Sequence, residues 1–370
     1  MPESTPRYAN LLAPQALVDL FLRFPPDGFA CALEPSGLPA FQTAFDLLTT
    51  LEPAVSARLR KLPLFGVWSR WLRFPTCFAG TTVTEYAPLP ASFAPEALLS
   101  AFRARHVAPS LLIIKDLPED SPLLSAADNA AAEALVRAAV DFIPVEGQAL
   151  AYVPIDFADT EDFLSRLSKS RRKNLRRKLK SRERMEVERL RLGDPRFADP
   201  ALLDILYTLY LGVFAQSEIH FDLLTRDFFA ALLQSRGIEG VVFCYRHGGE
   251  LVGYNICLIH NGMLIDKYIG LRYPLARELD LYFVSWFVNL EYALEQGLSH
   301  YVAGWTDPEV KASLGTRFTF TRHLVWVRNP LLRRILYAFR HCFEADRQVV
   351  DKRGPELPEQ AKGPGGPHRD

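Results

Sequence analysis

Between Val241 and Trp305, two tight-turn pairs, Gly248-Gly249 and Asn261-Gly262, separate runs of β-branched and aromatic residues. Such pairs accept the positive φ that a two-residue hairpin loop demands, which confines the stretch to two consecutive hairpins, a three-stranded meander. A polar loop, Leu271 to Asp280, and a nearly continuous apolar helix, Leu281 to Gln296, come next, then Gly297 and a short strand, Tyr301 to Trp305. The meander therefore hands over to a strand, helix, strand crossover.

Two-residue turns also fix register. Around Asn261-Gly262, His260 is expected to face Met263, Cys257 to face Asp266 and Asn255 to face Tyr268. Strand side chains alternate, so one face would carry Gly253, Asn255, Cys257, Asp266, Tyr268 and Gly270. The other would carry Tyr254, Ile256, Leu258, Ile265, Lys267 and Ile269. A small, polar face inside a central sheet needs partners, either a hydrogen-bond network of the protein's own or a ligand.

The chain has 370 residues, enough for two domains with real cores. Hydrophobic residues make up 49% and charged ones 23%, which excludes a disordered or fibrous class. The formal net charge is zero, so no whole-surface attraction to nucleic acid is expected, DNA is not an expected partner, and any polyanion binding is local. Five cysteines without C-x-x-C spacing fit a reduced setting better than a disulfide framework or a zinc site. The first residues lack a basic and apolar leader pattern, and no apolar run reaches membrane-spanning length, so a cytoplasmic location without a transmembrane segment is expected.

In chain order, amphipathic helices are expected over Pro14 to Phe24 and Ala40 to Leu51. A strand (Thr81 to Leu89), a helix (Pro95 to His106), a strand (Ser110 to Leu117) and a helix (Ala126 to Val140) follow, then strands Phe142 to Val145 and Ala149 to Ile155. Residues 1–156 thus read as an α/β lobe, and residues 157–348 as a second one. The second opens with a helix capped by Asp159 or Thr160, acidic at its start and densely basic from Lys169 to Arg184. Val187 to Leu192 reads as a strand, and Asp199-Pro200 and Thr225 begin helices reaching Gln216 and Ser235. Thr306 to Glu309 reads as a capping box, Phe318 to Val327 as a strand and Asn329-Pro330 as the start of a last helix. Residues 349–370 read as a disordered tail.

From Val187 onward this order resembles the acyltransferase fold of the GNAT superfamily. The segment Ser168-Lys-Ser-Arg-Arg-Lys-Asn-Leu-Arg-Arg-Lys, the block Asp266-Lys-Tyr-Ile-Gly270 and Lys311 before Leu314-Gly315 resemble the FemAB-like, BioF2-like branch, which includes peptidoglycan biosynthesis proteins. The resemblance implies an α/β fold with two GNAT-like lobes, each a mixed central sheet with flanking helices. It also implies an N-acyltransferase that moves an acyl group from acyl-CoA or acetyl-CoA to an amine, such as a cell-envelope precursor. A tRNA-dependent aminoacyl transferase and a non-catalytic GNAT-like binding protein are the alternatives.

In that fold the donor's pantetheine arm lies where the third meander strand and the strand after the crossover helix splay apart. Tyr268, Ile269, Gly270 and Tyr282 would then contact the donor, with backbone N–H groups near Tyr268 to Gly270 on the oxyanion. The loop Leu271 to Asp280 departs from the glycine-rich phosphate pattern, leaving Arg272 and Arg277 either to grip phosphate by side chains or to pair with Glu278 and Asp280. Asp266 is the candidate base and Tyr268 the candidate acid, the alternative for Asp266 being an ion pair with Arg317 or Arg322. Glu218 and His220, two apart, share a proton or serve as helix-end polar groups. Asn255, Lys267, Trp305, Asp307 and Lys311 fall to the acceptor side. No metal-spaced cluster, H-E-x-x-H or G-x-S-x-G is present, so neither a metal nor a serine triad is expected. The basic run from Lys169 to Arg184 suits an anionic surface or tRNA, or is a solvated helix face.

Overall fold

The computed structural model describes residues 8–47, 58, 60–106, 108–217 and 221–338. In chain order the strands are β1 (Tyr8–Ala9), β2 (Ala30–Leu33), β3 (Pro39–Asp46), β4 (Arg73–Ala79), β5 (Leu89–Pro90), β6 (Leu111–Glu119) and β7 (Ile143–Pro154). Then come β8 (Glu186–Arg191), β9 (Gly240–His247), β10 (Glu250–His260), β11 (Met263–Leu271), β12 (His300–Gly304) and β13 (Arg317–Val327). Apart from the small β1-β5 pair they form one mixed sheet, ordered β2-β3-β4-β6-β13-β7-β12-β11-β10-β9-β8, with helices on both sides.

The expected meander is present. Asn261 and Gly262 take φ of 48° and 71°, and Gly248 and Gly249 take 58° and 83°, which is the pair of left-handed residues that a type I′ hairpin requires. The same plan occurs twice along the sheet. In the first half β2, β3 and β4 form an antiparallel meander, the helix Pro95–Arg105 crosses over, and β6 pairs with β4 in parallel. In the second, β9, β10 and β11 are the meander, the helix Leu281–Glu295 crosses over, and β12 pairs with β11 in parallel.

The halves then exchange their last strands. β7 of the first half pairs with β12 of the second, and β13 of the second pairs with β6 and β7 of the first. An aromatic cluster locks the halves together on one face: Phe41 stacks on Phe29 and Phe78 at 4.8 and 4.7 Å, and Phe221 meets Phe78 at 5.6 Å. The opposite face of the second half is covered by the crossover helix, whose Leu281, Val284, Phe287, Val288 and Leu290 are buried against the sheet.

Several local expectations are overturned. Ala40 onward is strand β3 rather than helix, because Phe41, Thr43 and Phe45 also carry a period of two and the ring stacking on Phe41 decides the contest. Thr81 to Leu89 is not a strand: Thr81 Oγ1 accepts from the amides of Val83 and Thr84 and bonds Thr84 Oγ1, folding the segment into turns. Phe142 to Ile155 holds one strand, not two; a Cβ at Gly147 would collide with Thr321, so the glycine marks a close approach rather than a turn. The long basic helix is two helices, Thr160–Ser165 and Lys169–Leu179, broken at the extended Ser168, a residue type that favours caps over helix interiors. The cap before Pro308 is Asp307 at φ 55°, not a Thr306 capping box. The expected tail, 349–370, lies outside the described residues.

Candidate functional site

Parallel pairing of β11 with β12 covers only Met263–Ile265 and His300–Val302. Beyond it β11 continues to Leu271 while β12 ends at Gly304, φ 80°, and the two strands part around a cleft of about 190 Å³. The crossover helix supplies Tyr282, Ser285 and Trp286 to its wall, and the helix Pro308–Ser313 supplies Lys311. The fourth side comes from the other half of the chain: after Gly80, φ 122°, the backbone leaves β4 and carries Thr82 to Glu85 to the cleft.

A β-bulge decides which side chains reach which wall. Cys257 pairs with Asp266 as expected, but Ile256 pairs with Tyr268, so Lys267 is an extra residue on β11. Residues beyond it change face. Asp266 stays beside Asn255, whereas Tyr268 crosses to the opposite side, its ring 6.0 and 5.3 Å from those of Phe228 and Phe229. Gly270 moves with it, and a Cβ there would collide with the Tyr254 ring. The expected shared face of Asp266, Tyr268 and Gly270 is therefore incorrect, because the two-residue turn sets register only as far as the bulge.

Asp266 is held by three donors. Asn255 Nδ2 reaches its Oδ1 at 2.7 Å, and Tyr301 Oη and Asn289 Nδ2 reach its Oδ2 at 2.8 and 3.1 Å. Asn289 also donates to Asn255 Oδ1. Burial pushes the Asp266 carboxyl above the usual carboxylate range, opposed by the Asn255 and Tyr301 bonds and by the charge of Lys311. Lys311 is 4% exposed, lines the cleft, and has no side-chain hydrogen bond among the described residues. Its burial lowers the ammonium from 10.5 to about 8, with Asp266 and Asp307 working the other way. A buried cation that feels the charge of a carboxylate already held by three donors, and that lines a cleft, is arranged to meet negative charge.

Also in the cleft lining, Lys267 Nζ donates to Glu85 Oε1 at 2.5 Å and to Val83 O at 2.6 Å. Among the described residues, Glu85 Oε2, Tyr268 Oη and Trp286 Nε1 of the cleft-lining residues are buried without a hydrogen-bond partner. Burial also holds the Tyr268 hydroxyl well above its usual range.

Of the residues expected from sequence, Asp266, Lys267, Tyr268, Ile269, Tyr282, Trp305 and Lys311 all line the cleft. Asn255 stands behind its wall as a partner of Asp266. Arg272 and Arg277 do not line it: Arg272 bonds Glu250 at 2.9 Å, and Arg277 bonds Gln216 at 2.8 Å over the Tyr273 ring. Asp307 stands at the N-cap position of the helix that carries Lys311, without a side-chain capping bond. Glu218 and His220 lie outside the described residues. Asp266 does not pair with an arginine; Arg317 lies 3.8 Å from Asp156 and Arg322 bonds Glu119.

Sequence reasoning missed Glu85, Asn289, Tyr301 and Trp286. Ser285 and Asn289 carried a signal, two polar residues four apart in an otherwise apolar helix and so on one face of it. Glu85 carried none, since its partner is 182 residues away. Along the outer side of the crossover helix, Lys178 Nζ sits 3.0 Å from the centroid of the Phe283 ring, one residue from the cleft-lining Tyr282. Lys169, Lys173, Arg177, Lys180 and Arg184 are exposed and have no carboxylate partner among the described residues, while Arg176 and Arg182 pair with Glu161 and Glu291.

No metal-binding cluster of His, Cys, Asp or Glu occurs among the described residues, and no helix there is long and apolar enough to cross a membrane. Comparison with curated proteins returns no match. Among solved structures, the C-terminal domain (DUF2156) assigned to a lysylphosphatidylglycerol synthetase of Agrobacterium fabrum aligns with 91% of this chain and 96% of its own, at 12% identity and a TM-score of 0.50. L-PGS from Bacillus licheniformis aligns with 94% of this chain and 100% of its own, at 11% identity and a TM-score of 0.50. FemX aligns with 87% and 98%, at 12% identity and a TM-score of 0.48. At such identities the likeness concerns the fold, one mixed sheet in which the same strand plan occurs twice. The FemAB-like family, described as peptidoglycan biosynthesis/recognition, matches residues 125–361, and with well over half of its length inside that match the chain belongs to this family.

Proposed function

We propose that the protein transfers an aminoacyl group from an RNA carrier to an amine of a peptidoglycan precursor, with the cleft between β11 and β12 as the reaction site. The observation that carries this reading is Lys311, a buried ammonium without a hydrogen-bond partner among the described residues, opening into that cleft. The acceptor nitrogen attacks the donor's ester carbonyl; the new C–N bond forms, the C–O bond to ribose breaks, and the proton lost by nitrogen goes to the departing oxygen. Lys311 holds the carbonyl oxygen as it gains charge, at a buried position where the interaction is weakly screened. Asp266, fixed in place by three donors from Asn255, Asn289 and Tyr301, favours the protonated form of Lys311 through its charge.

The exposed cations of the helix Lys169–Leu179 flank the cleft and suit RNA phosphates. The peptidoglycan acceptor rests on the family. An acyl-CoA donor is the second reading, favoured by the splay itself, which ends at the N-terminus of the crossover helix. Against it, Asp280 occupies that N-terminus and Arg272 and Arg277 are engaged elsewhere.

The test is transfer of label to a lysine-containing peptidoglycan precursor from charged bulk tRNA and, in parallel, from acetyl-CoA. The expected result is transfer from charged tRNA, reduced at least a hundredfold by Lys311→Met. Transfer from acetyl-CoA alone would establish the second reading, and transfer unaffected by Lys311→Met would remove the cleft from the mechanism.

A further inference from the structure

We infer that Glu85 forms a binding site for a primary ammonium group of the substrate in the cleft that Lys311 also lines. This rests on the reading of the cleft as the transfer site, and it adds a recognition element contributed by the other half of the chain.

Glu85 is 3% exposed and lines the cleft. Its Oε1 accepts from Lys267 at 2.5 Å, while Oε2 is buried without a hydrogen-bond partner among the described residues. A carboxylate accepts about four hydrogen bonds, and leaving a charged oxygen buried and unused costs its desolvation. A ligand donor aimed at Oε2 removes that cost.

The surroundings select the kind of donor. Glu85 and Lys267 line the cleft, and behind that lining a connected set of charges, Asp222 and Asp116 against Lys115, joins them: Lys115 bonds Asp116 and acts on Asp222, and Asp222 and Glu85 both act on Tyr268. Burial lowers the nearby His323 and so favours its neutral form. Three carboxylates against two ammoniums leave the cluster one positive charge short. A phosphate or carboxylate ligand would be repelled, whereas an ammonium completes the balance. Trp305 and Tyr268 add aromatic walls, which favour a cation further.

Lys311, which lines the same cleft, suits an oxygen that carries negative charge. A substrate with an ammonium at one end and a carbonyl at the other therefore spans the site. Two parts of the reaction offer such an ammonium: the α-amino group of an aminoacyl donor, and the side-chain amine of the acceptor before it loses its proton.

Calorimetric titration of the full chain with two probe pairs tests the site. The donor pair is 3′-(L-alanylamino)-3′-deoxyadenosine and its N-acetyl derivative; the acceptor pair is Nα-acetyl-L-lysinamide and its Nα,Nε-diacetyl derivative. Acetylation is expected to weaken binding to the wild type at least tenfold in one pair, and that pair names the source. Glu85→Gln should weaken the free-amine member of that pair at least tenfold and leave its acetylated member unchanged. If Glu85→Gln does not fold, the double variant Glu85→Gln, Lys267→Met, which removes both charges, takes its place, and the wild-type comparison needs no variant. Equal binding of acetylated and free forms in both pairs, or equal weakening of both members by Glu85→Gln, overturns the inference. Failure of both free amines to bind while labelled transfer persists overturns it alone; failure of binding and transfer together removes the transferase reading as well.

Discussion

Lys267 and Glu85, 182 residues apart, meet at 2.5 Å with both side chains buried, so that one ion pair ties the bulge of β11 to the segment the first half sends across the cleft. The pair can hardly be read as surface decoration. Removing one partner leaves the other as an uncompensated buried charge, which typically costs about 3–5 kcal/mol. Lys267→Met is expected to destabilise the fold by about that amount in urea unfolding. Adding Glu85→Gln should recover most of the loss, because no bare charge then remains. A single variant as stable as the wild type would mean that the pair is solvated in solution.

Lys311 gives stability a dependence on pH. Its folded value is lowered from 10.5 to about 8, so between those values the unfolded chain binds more protons than the folded one. Stability from this residue therefore rises with pH across that window, by about 3 kcal/mol in all. Buried tyrosines such as Tyr245 and Tyr301, held well above their usual value, act in the opposite sense at higher pH. The quantity to follow is therefore the unfolding free energy of the wild type minus that of Lys311→Met, from pH 7 to 10. A difference that does not change with pH would contradict the burial of the charged form. Since the ammonium is the form assigned to catalysis, the transfer rate should fall as pH passes about 8.

Gly270 is fixed by contact rather than by backbone conformation. The bulge turns its α-carbon toward Tyr254, a ring buried completely, and an added methyl would collide with it. Overpacking of this kind costs about 1–3 kcal/mol. Gly270→Ala should lower the melting temperature measurably, and combining it with Tyr254→Phe should not rescue it, since the clash is with ring carbons and not the hydroxyl. A neutral Gly270→Ala would mean that the strand relaxes at no cost.

The sequence carried the fold wherever local rules were sufficient. Asn261-Gly262 and Gly248-Gly249 announced the meander, Asp199 and Thr225 cap their helices as read, and the cleft forms where the third meander strand leaves the crossover strand. Legibility ended where a long-range partner decides. Nothing near Lys267 signals that it is an extra residue, so the faces beyond it were inverted and Tyr268 was assigned to the wall of Asp266. Glu85 sat in a run of threonines that read as a strand, and only its meeting with Lys267 gives it a place in the site. Arg272 and Arg277 were read as phosphate ligands or as partners of Glu278 and Asp280, and the partners they have, Glu250 and Gln216, come from other elements that local reading does not reach.

The basic helix yields the last expectation. Lys173, Arg177 and Lys180 are exposed without carboxylate partners among the described residues, and the same helix lies against the first turn of the crossover helix through Lys178 and Phe283. If these cations contact donor RNA, each phosphate neutralised contributes about −0.7 to −0.9 to the slope of log affinity against log salt. The variant Lys173→Ala, Arg177→Ala, Lys180→Ala should therefore weaken binding of charged tRNA and reduce that slope by about 2–3. The rate at saturating donor should change little, since none of the three lines the cleft. An unaltered slope would assign RNA binding to another surface. Loss of binding to anionic vesicles instead of RNA would make the helix a membrane-facing element, and the donor would then have to reach Lys311 without its help.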